Sequence, residues 1–357
     1  MYQKVRFFLA IISICFVQSA SAQKVFPAKI ATEEAPSLTI YSSLDQQIST
    51  PLLEAFQKQN PALKIIYEDL QTLDIYERII RETDENGTTA DLVFSSAMDL
   101  QMKLVNDGYA QRVNVANARN WPAWANWRNT AFALTYEPSV VVYHKPSFTD
   151  IAPPQNRKEL REILRNNSDR LYGKVGTYDI ERSGLGYLFL ALDQEHSRNI
   201  WSLVRGLGAT GVKLYSSSSA ILERVSDGRF SLGYNILGSY AANWAKNNPD
   251  LGIILPNDYT IVMSRIALVP VAAGSPKYGA LLLNFLMSET GQQIMANEVE
   301  LTAIHPTLKG NNTARYLRSK HGNQLRPIPV SPGLLVFLDQ VKRARLIKKW
   351  NNALRAQ

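Results

Sequence analysis

Hydrophobic and polar positions near the start of the chain follow a strand pattern, then a helix pattern, then a strand pattern again. Residues 38–44 read Leu-Thr-Ile-Tyr-Ser-Ser-Leu, apolar and β-branched until a serine pair, which predicts a strand. Within 51–59 the apolar residues Leu52, Leu53 and Phe56 fall on one helical face. Residues 63–67, Leu-Lys-Ile-Ile-Tyr, predict a second strand. This order is a βαβ unit, whose strands lie parallel. In an open α/β sheet the strand-to-helix loop, here 42–45, is where ligands sit. The pair Ser42-Ser43 offers hydroxyls and helix N-terminal amides to a polar or anionic guest, or simply caps the helix.

The pattern then repeats. A helix is expected over 74–82, with Ile75, Ile79 and Ile80 on one side, and a strand over 90–94. Ser95-Ser96 closes that strand as Ser42-Ser43 closes the first, and a helix follows over 98–106 with Gly108 as its C-cap. Two serine pairs at equivalent ends of parallel strands predict one shared cleft. Trp121, Trp124 and Trp127 suit a helical turn that packs as core or lid, or stacks on a sugar. A strand over 139–144 and a charged helix over 157–165 mark the passage to a second α/β half. There, strands at 173–178, 212–215 and 230–235 alternate with helices at 187–192 and 220–227. Strands in 253–256 and 260–271 lead back to helices at 277–287 and 289–298, and a final helix spans 334–354. Residues 23–36 read as a loose polar leader.

Composition adds compartment and charge. The chain has 357 residues, 45% of them hydrophobic and 20% charged, which fits two globular domains. Lys4 and Arg6, the apolar run 7–17 and Ala20-Ser21-Ala22 form an export signal with cleavage near Ala22. Residues 1–22 are therefore expected to be removed and the mature chain to be periplasmic. The only cysteine, Cys15, lies in that signal, so the mature chain has no disulfide, thiolate metal site or cysteine nucleophile. The net charge is +8, and loss of Lys4 and Arg6 leaves +6. Beyond Gly310 many basic residues face the single acid Asp339. That run reads as a solvated helix face or an attraction for an anionic surface, and not as a nucleic-acid module.

Catalytic and metal motifs find little support. The stretch 206–211 fits G-x-G-x-x-G, yet it follows a helix and precedes a strand, the reverse of a dinucleotide site. It reads as a helix C-cap and turn. His144, His196, His305 and His321 have no metal-ligand spacing, and no G-x-S-x-G surrounds a serine. No cofactor and no enzymatic activity are expected. Arg182, just before the helix-start pair Ser183-Gly184, is the best single charge for meeting an anion, with a surface ion pair as the plain alternative.

The stretches LTIYSSLD, ADLVFSSAMD, GYNILGSYA and ALVPVAAGSPKYGALLLNFLMSETGQQIM resemble periplasmic solute-binding proteins of ABC transporters with the type 2 fold, in the ferric-iron, hexose-phosphate and organophosphate branch. The resemblance implies an α/β Venus-flytrap of two lobes, 37–138 with 265–357 and 139–264, that closes on one solute. It implies Ser42, Ser43, Ser95 and Ser96 on the first lobe's wall, and Ser183, Gly184, Tyr234, Asn235 and Tyr259 on the second. Iron-binding members carry adjacent tyrosines after a strand like 233–235. Here Leu237 and Gly238 stand there, with Tyr240 alone. Ferric iron wants anionic oxygen ligands, so a phosphorylated or carboxylated metabolite is the expected solute and iron the alternative. The expected partner is an inner-membrane ABC permease, or a sensor kinase, for a monomeric protein. A secreted enzyme on the same scaffold is the remaining reading.

Overall fold

The opening βαβ unit lies within a first sheet, one strand in from its edge. The structure, a computed structural model, describes residues 22–30 and 35–356, so the export signal up to Ser21 lies outside the described residues. The chain runs through β1 (Ala22–Phe26), β2 (Ser37–Ser42), α1 (Gln46–Gln59), β3 (Lys64–Asp69), α2 (Thr72–Asp84), β4 (Leu92–Ser95) and α3 (Met98–Asn106). β2 runs parallel to β3 on one side and to β4 on the other. Alternation along β2 and β4 sends side chains to two cores. Leu38, Ile40, Leu92 and Phe94 meet Leu52, Leu53 and Phe56 of α1, while Tyr41 and Val93 meet Ile75 and Ile79 of α2. A sheet covered on both faces explains why every residue of β4 is buried.

After β5 (Asn126–Trp127) and β6 (Ala131–Ala133), β7 (Glu137–His144) carries the chain into the second lobe. There follow α4 (Arg157–Asn166), α5 (Ser168–Leu171), β8 (Val175–Tyr178), α6 (Gly184–His196), α7 (Ile200–Ala209), β9 (Lys213–Tyr215), α8 (Ser218–Ser226), β10 (Leu232–Leu237), α9 (Gly238–Ala245), β11 (Leu251–Ile254) and β12 (Thr260–Met263). Ser264-Arg265 returns the chain to β13 (Ile266–Leu268) of the first sheet, and α10 (Pro276–Leu286) and α11 (Glu289–Asn297) pack there. The tail holds α12 (Ala314–His321), β14 (Leu325–Pro327) and α13 (Gln340–Arg355). The sheet orders are β1-β3-β2-β4-β13-β6-β5 and β14-β12-β7-β10-β8-β9, with β11 on β7.

Four expectations change. Residues 23–26 are not loose: β1 is an edge strand antiparallel to β3, with Phe26 buried in the core. α1 begins at Gln46, and Pro51 sits inside it and not at its start. The tryptophan stretch is a short 3-10 turn, Ala123–Ala125, running into β5, and Trp121 is core, its indole N–H donating to the Ala133 carbonyl at 2.9 Å. The tail does not stay with the first sheet. β14 pairs with β12 of the second sheet, and α13 packs on α7 through Leu346, Trp350 and Ala353. A 3-10 segment, Pro332–Leu338, precedes α13 and packs on α3, so the tail touches both lobes.

Candidate interlobe site

Parallel strands place the site. β2 is flanked by β3 and β4, and β8 by β10 and β9, so each sheet has a switch point where loops diverge from the strand ends. The loops leaving β2, β3, β4, β8, β9 and β10 meet around a cavity of about 50 Å³. Its walls include Ser43, Asp45, Asp69 and Ser96 from the first lobe and Tyr178, Ser183, Ser217 and Tyr240 from the second. Each of these loops starts a helix: Asp45 is the N-cap of α1, Gln71 of α2, Ser183 of α6, Ser217 of α8 and Leu237 of α9, and Ser96 lies just before α3. Helix N-termini carry partial positive charge and free N–H groups. Their convergence brings these helix starts to one cavity, beside the carboxylates of Asp45 and Asp69.

The first wall is tied to the hinge. Ser43 Oγ accepts the Ser96 N–H at 3.0 Å and lies 3.2 Å from Ser96 Oγ. Arg265, between β12 and β13, donates through Nη1 to the Ser43 carbonyl at 3.2 Å. Its Nε lies 3.0 Å from Glu137 Oε1, both side chains being 0% exposed. Ser239 also donates to Glu137. Burial works against the Arg265 charge, but Glu137, Tyr240, Tyr67 and Asp45 more than offset it and hold the guanidinium charged. This pair staples the two crossing strands, with Arg265 N donating to Thr135 Oγ1 at 2.8 Å.

Asp45 bridges the lobes. Tyr240 donates to Asp45 Oδ1 at 2.7 Å and Ser219 to Oδ2 at 2.6 Å. Gly184 N donates across the cleft to Thr72 Oγ1 at 3.1 Å. A Cβ on Gly184 would stand 2.9 Å from Leu100 Cδ1, so glycine permits this approach. Asp69 stands beside Asp45. Burial first, then the Asp45 charge, push its carboxyl up to about 6, against the Gln46 N–H and Arg265. The Tyr240 and Tyr178 hydroxyls are raised above the ordinary phenol range by burial.

Of the residues expected in the site, Ser43, Ser96 and Ser183 line the cavity, and Gly184 lies at the closing edge. Ser42 is buried behind the wall, donating to the Phe94 carbonyl at 2.9 Å, and the Ser95 hydroxyl is buried without a partner. Arg182 points to solvent, its side chain 82% exposed and 3.9 Å from Asp179. Tyr234, Asn235 and Tyr259 do not line the cavity. Tyr234 and Tyr259 donate to Asp193 at 2.7 and 2.6 Å, and Asn235 Nδ2 does so at 2.7 Å. Arg157 stacks on Tyr259 with 3.6 Å to the ring centre and completes this buried network. For Tyr234 and Asn235 the cause is a bulge in β10 between Gly233 and Ile236, with Asn235 at φ 61. Asp45, Asp69, Thr72, Ser216, Ser217, Ser218 and Tyr240 also line the cavity, which strand-end serines did not reveal. The four serines at 216–219 were the available signal for the α8 side. Among the described residues no group of three or more His, Cys, Asp or Glu side chains is arranged to hold a metal.

Two lobes, crossing strands and a polar cavity at the switch points define a solute-binding architecture. The sequence profile of the bacterial extracellular solute-binding proteins matches residues 38–298, and the chain belongs to that family, with its type 2 fold. The structure of the substrate binding protein of the ABC transporter from Agrobacterium tumefaciens is 58% identical, with a TM-score of 0.92 over 94% of this chain and 99% of that one. AfuA from Actinobacillus pleuropneumoniae, with exogenous fructose-6-phosphate bound, is 14% identical, with a TM-score of 0.74 over 91% and 100%. Iron-bound HitA from Pseudomonas aeruginosa is 15% identical, with a TM-score of 0.65 over 89% and 99%. At such identities the likeness to AfuA and HitA is one of fold alone. No curated protein matches the chain significantly. Among the described residues no helix is long and apolar enough to cross a membrane.

Proposed function

We propose that this protein captures a small anionic organic solute, a phosphorylated or carboxylated metabolite, between its lobes and delivers it to an ABC permease from the periplasm. The observation that carries this reading is the convergence of the α1, α2, α3, α6, α8 and α9 N-termini on one cavity, with hydroxyls around it. Backbone N–H groups and hydroxyls donate to an oxyanion from fixed positions, and Arg265, paired with Glu137, holds the Ser43 carbonyl behind that wall. The cavity is tight with the lobes together, so a solute enters an opened cleft and is enclosed on closure. Lobe closure of this kind presents one shape to a permease when loaded and another when empty.

A thermal-shift screen of the purified protein tests the reading. Phosphorylated sugars, glycerates, carboxylates and ferric iron are compared at equal concentration. A true ligand raises the melting temperature by mass action, by about 3 kcal/mol of stability at a hundredfold excess over Kd. Stabilisation by a phosphorylated or carboxylated compound is expected. Stabilisation by ferric iron alone, using Tyr240, Tyr178, Asp45 and Asp69 as oxygen ligands, contradicts it.

A further inference from the structure

Helix α13 carries Lys342, Arg343, Arg345, Lys348, Lys349 and Arg355 and no acid. Leu346, Trp350 and Ala353 fix it on α7, so these charges stand on a rigid support. Lys342, Arg345 and Lys349 share one helical face with Leu346. They open onto a pocket of about 370 Å³ between α6, the 3-10 segment Pro332–Leu338 and α13. Ala191, Phe337 and Leu346 give it apolar walls, and the Tyr187 hydroxyl, donating to the Phe337 carbonyl at 2.6 Å, pins the segment to α6. Glu195 is the one acid in the lining. None of the three cations pairs with a carboxylate among the described residues. Asp339, the nearest acid in sequence, is occupied as the cap of α13 and accepts the Lys342 N–H at 2.8 Å. A separate observation points to hydrocarbon. Val336, in the pocket wall, and Val341, at the start of α13, are 44% and 58% exposed.

We propose that this face docks on a membrane of anionic phospholipid, a lipid phosphate entering the pocket beside Lys342, Arg345 and Lys349 while Val336 and Val341 meet the first methylenes. The inference is independent of the solute and its cleft. Cations draw a protein to a negative lipid surface, and exposed apolar side chains beside them favour the headgroup boundary over water. Arginine adds paired donors that match phosphate oxygens. A phospholipid supplies acid and hydrocarbon together, which is the pairing this face presents, whereas an acidic soluble polymer supplies only the first.

Vesicle co-sedimentation tests the proposal on the mature chain expected after export, 23–357, so that the apolar run 7–17 contributes nothing. The vesicles are phosphatidylcholine alone, or equal parts phosphatidylcholine and phosphatidylglycerol, at low and at high salt. Binding is expected only to the mixed vesicles and is expected to weaken as salt screens the charges. Lys342→Gln and Lys349→Gln are each expected to weaken it about fivefold, the worth of one cation near an anionic surface. Val336→Ser with Val341→Ser is expected to weaken it with every charge retained. Lys58→Gln, at the end of α1, is the control and is expected to bind as the wild type does. Circular dichroism checks that each variant is folded. No binding to the mixed vesicles at low salt overturns the proposal, as does equal loss in Lys58→Gln, which marks an attraction of net charge alone. If the valine substitutions change nothing and soluble polyaspartate displaces the vesicles, the face fits an acidic protein and the lipid assignment is wrong.

Discussion

Asp69 shows how one side chain records the chemistry of the site. In the folded protein its carboxyl is pushed from 3.8 up to about 6, by burial first and then by Asp45, against the Gln46 N–H and Arg265. A carboxyl raised on folding binds more protons in the native state, so its contribution falls as pH rises from about 4 through 6. Asp69→Asn is therefore expected to raise the melting temperature of the ligand-free protein at pH 8, with the gain vanishing near pH 4. A scan of melting temperature against pH checks this, and a gain independent of pH contradicts it. At this scale the sequence was legible where a residue's role follows from a strand end. Ser43, Ser96 and Ser183 reach the cavity because each ends a loop that caps or precedes a helix. Tyr234 and Asn235 also follow such a pattern, yet the bulge in β10 turns them to Asp193. Nothing in Gly-Tyr-Asn announces an inserted residue. Asp45 lay in the expected ligand loop but was not singled out, because its partners, Tyr240 and Ser219, are far away in sequence.

Elements were legible where period and boundary agreed. The β2-α1-β3 unit, α2, α3 and the return strands β12 and β13 each bury a face that their apolar spacing announces. The tail was not legible in the same way. An amphipathic helix declares which face is buried but not against which lobe, and α13 docks on α7. The stretch 206–211 gains a meaning here that its motif did not suggest. A Cβ on Gly208 would stand 2.1 Å from the Leu354 carbonyl oxygen, so glycine lets the two helix backbones meet. Gly211, at φ 59, completes the turn after α7. Gly208→Ala is expected to lower stability by about 1–3 kcal/mol through overpacking and to expose the C-terminal helix to protease. Gly206→Ala, whose Cβ meets Leu164 Cβ at 3.4 Å, is the control and is expected to be milder. Equal effects of the two substitutions, measured by thermal melts and limited proteolysis, contradict this account of α13.

Across the whole molecule, the hinge and the cleft form one device. The two crossing strands are joined by Arg265 and Glu137, and the same arginine holds Ser43 in the cleft wall. Asp45 and Gly184 join the lobes at the cleft. A solute entering the cleft competes with these contacts, so affinity depends on how far they give way. Periodicity delivered the two-lobed α/β plan; the convergence of helix N-termini needed coordinates, because it arises from how loops of two separate sheets face each other.

The central claim is that residues of both lobes hold one anionic solute in this cavity. The direct measurement is calorimetric titration of the wild type, Ser43→Ala and Ser183→Ala with the phosphorylated or carboxylated compound that gives the largest thermal shift. The account predicts one site per chain and a loss of about tenfold in affinity in each variant, the scale of one hydrogen bond to a charged group. Wild-type affinity retained in both variants, or binding of ferric iron alone, contradicts it.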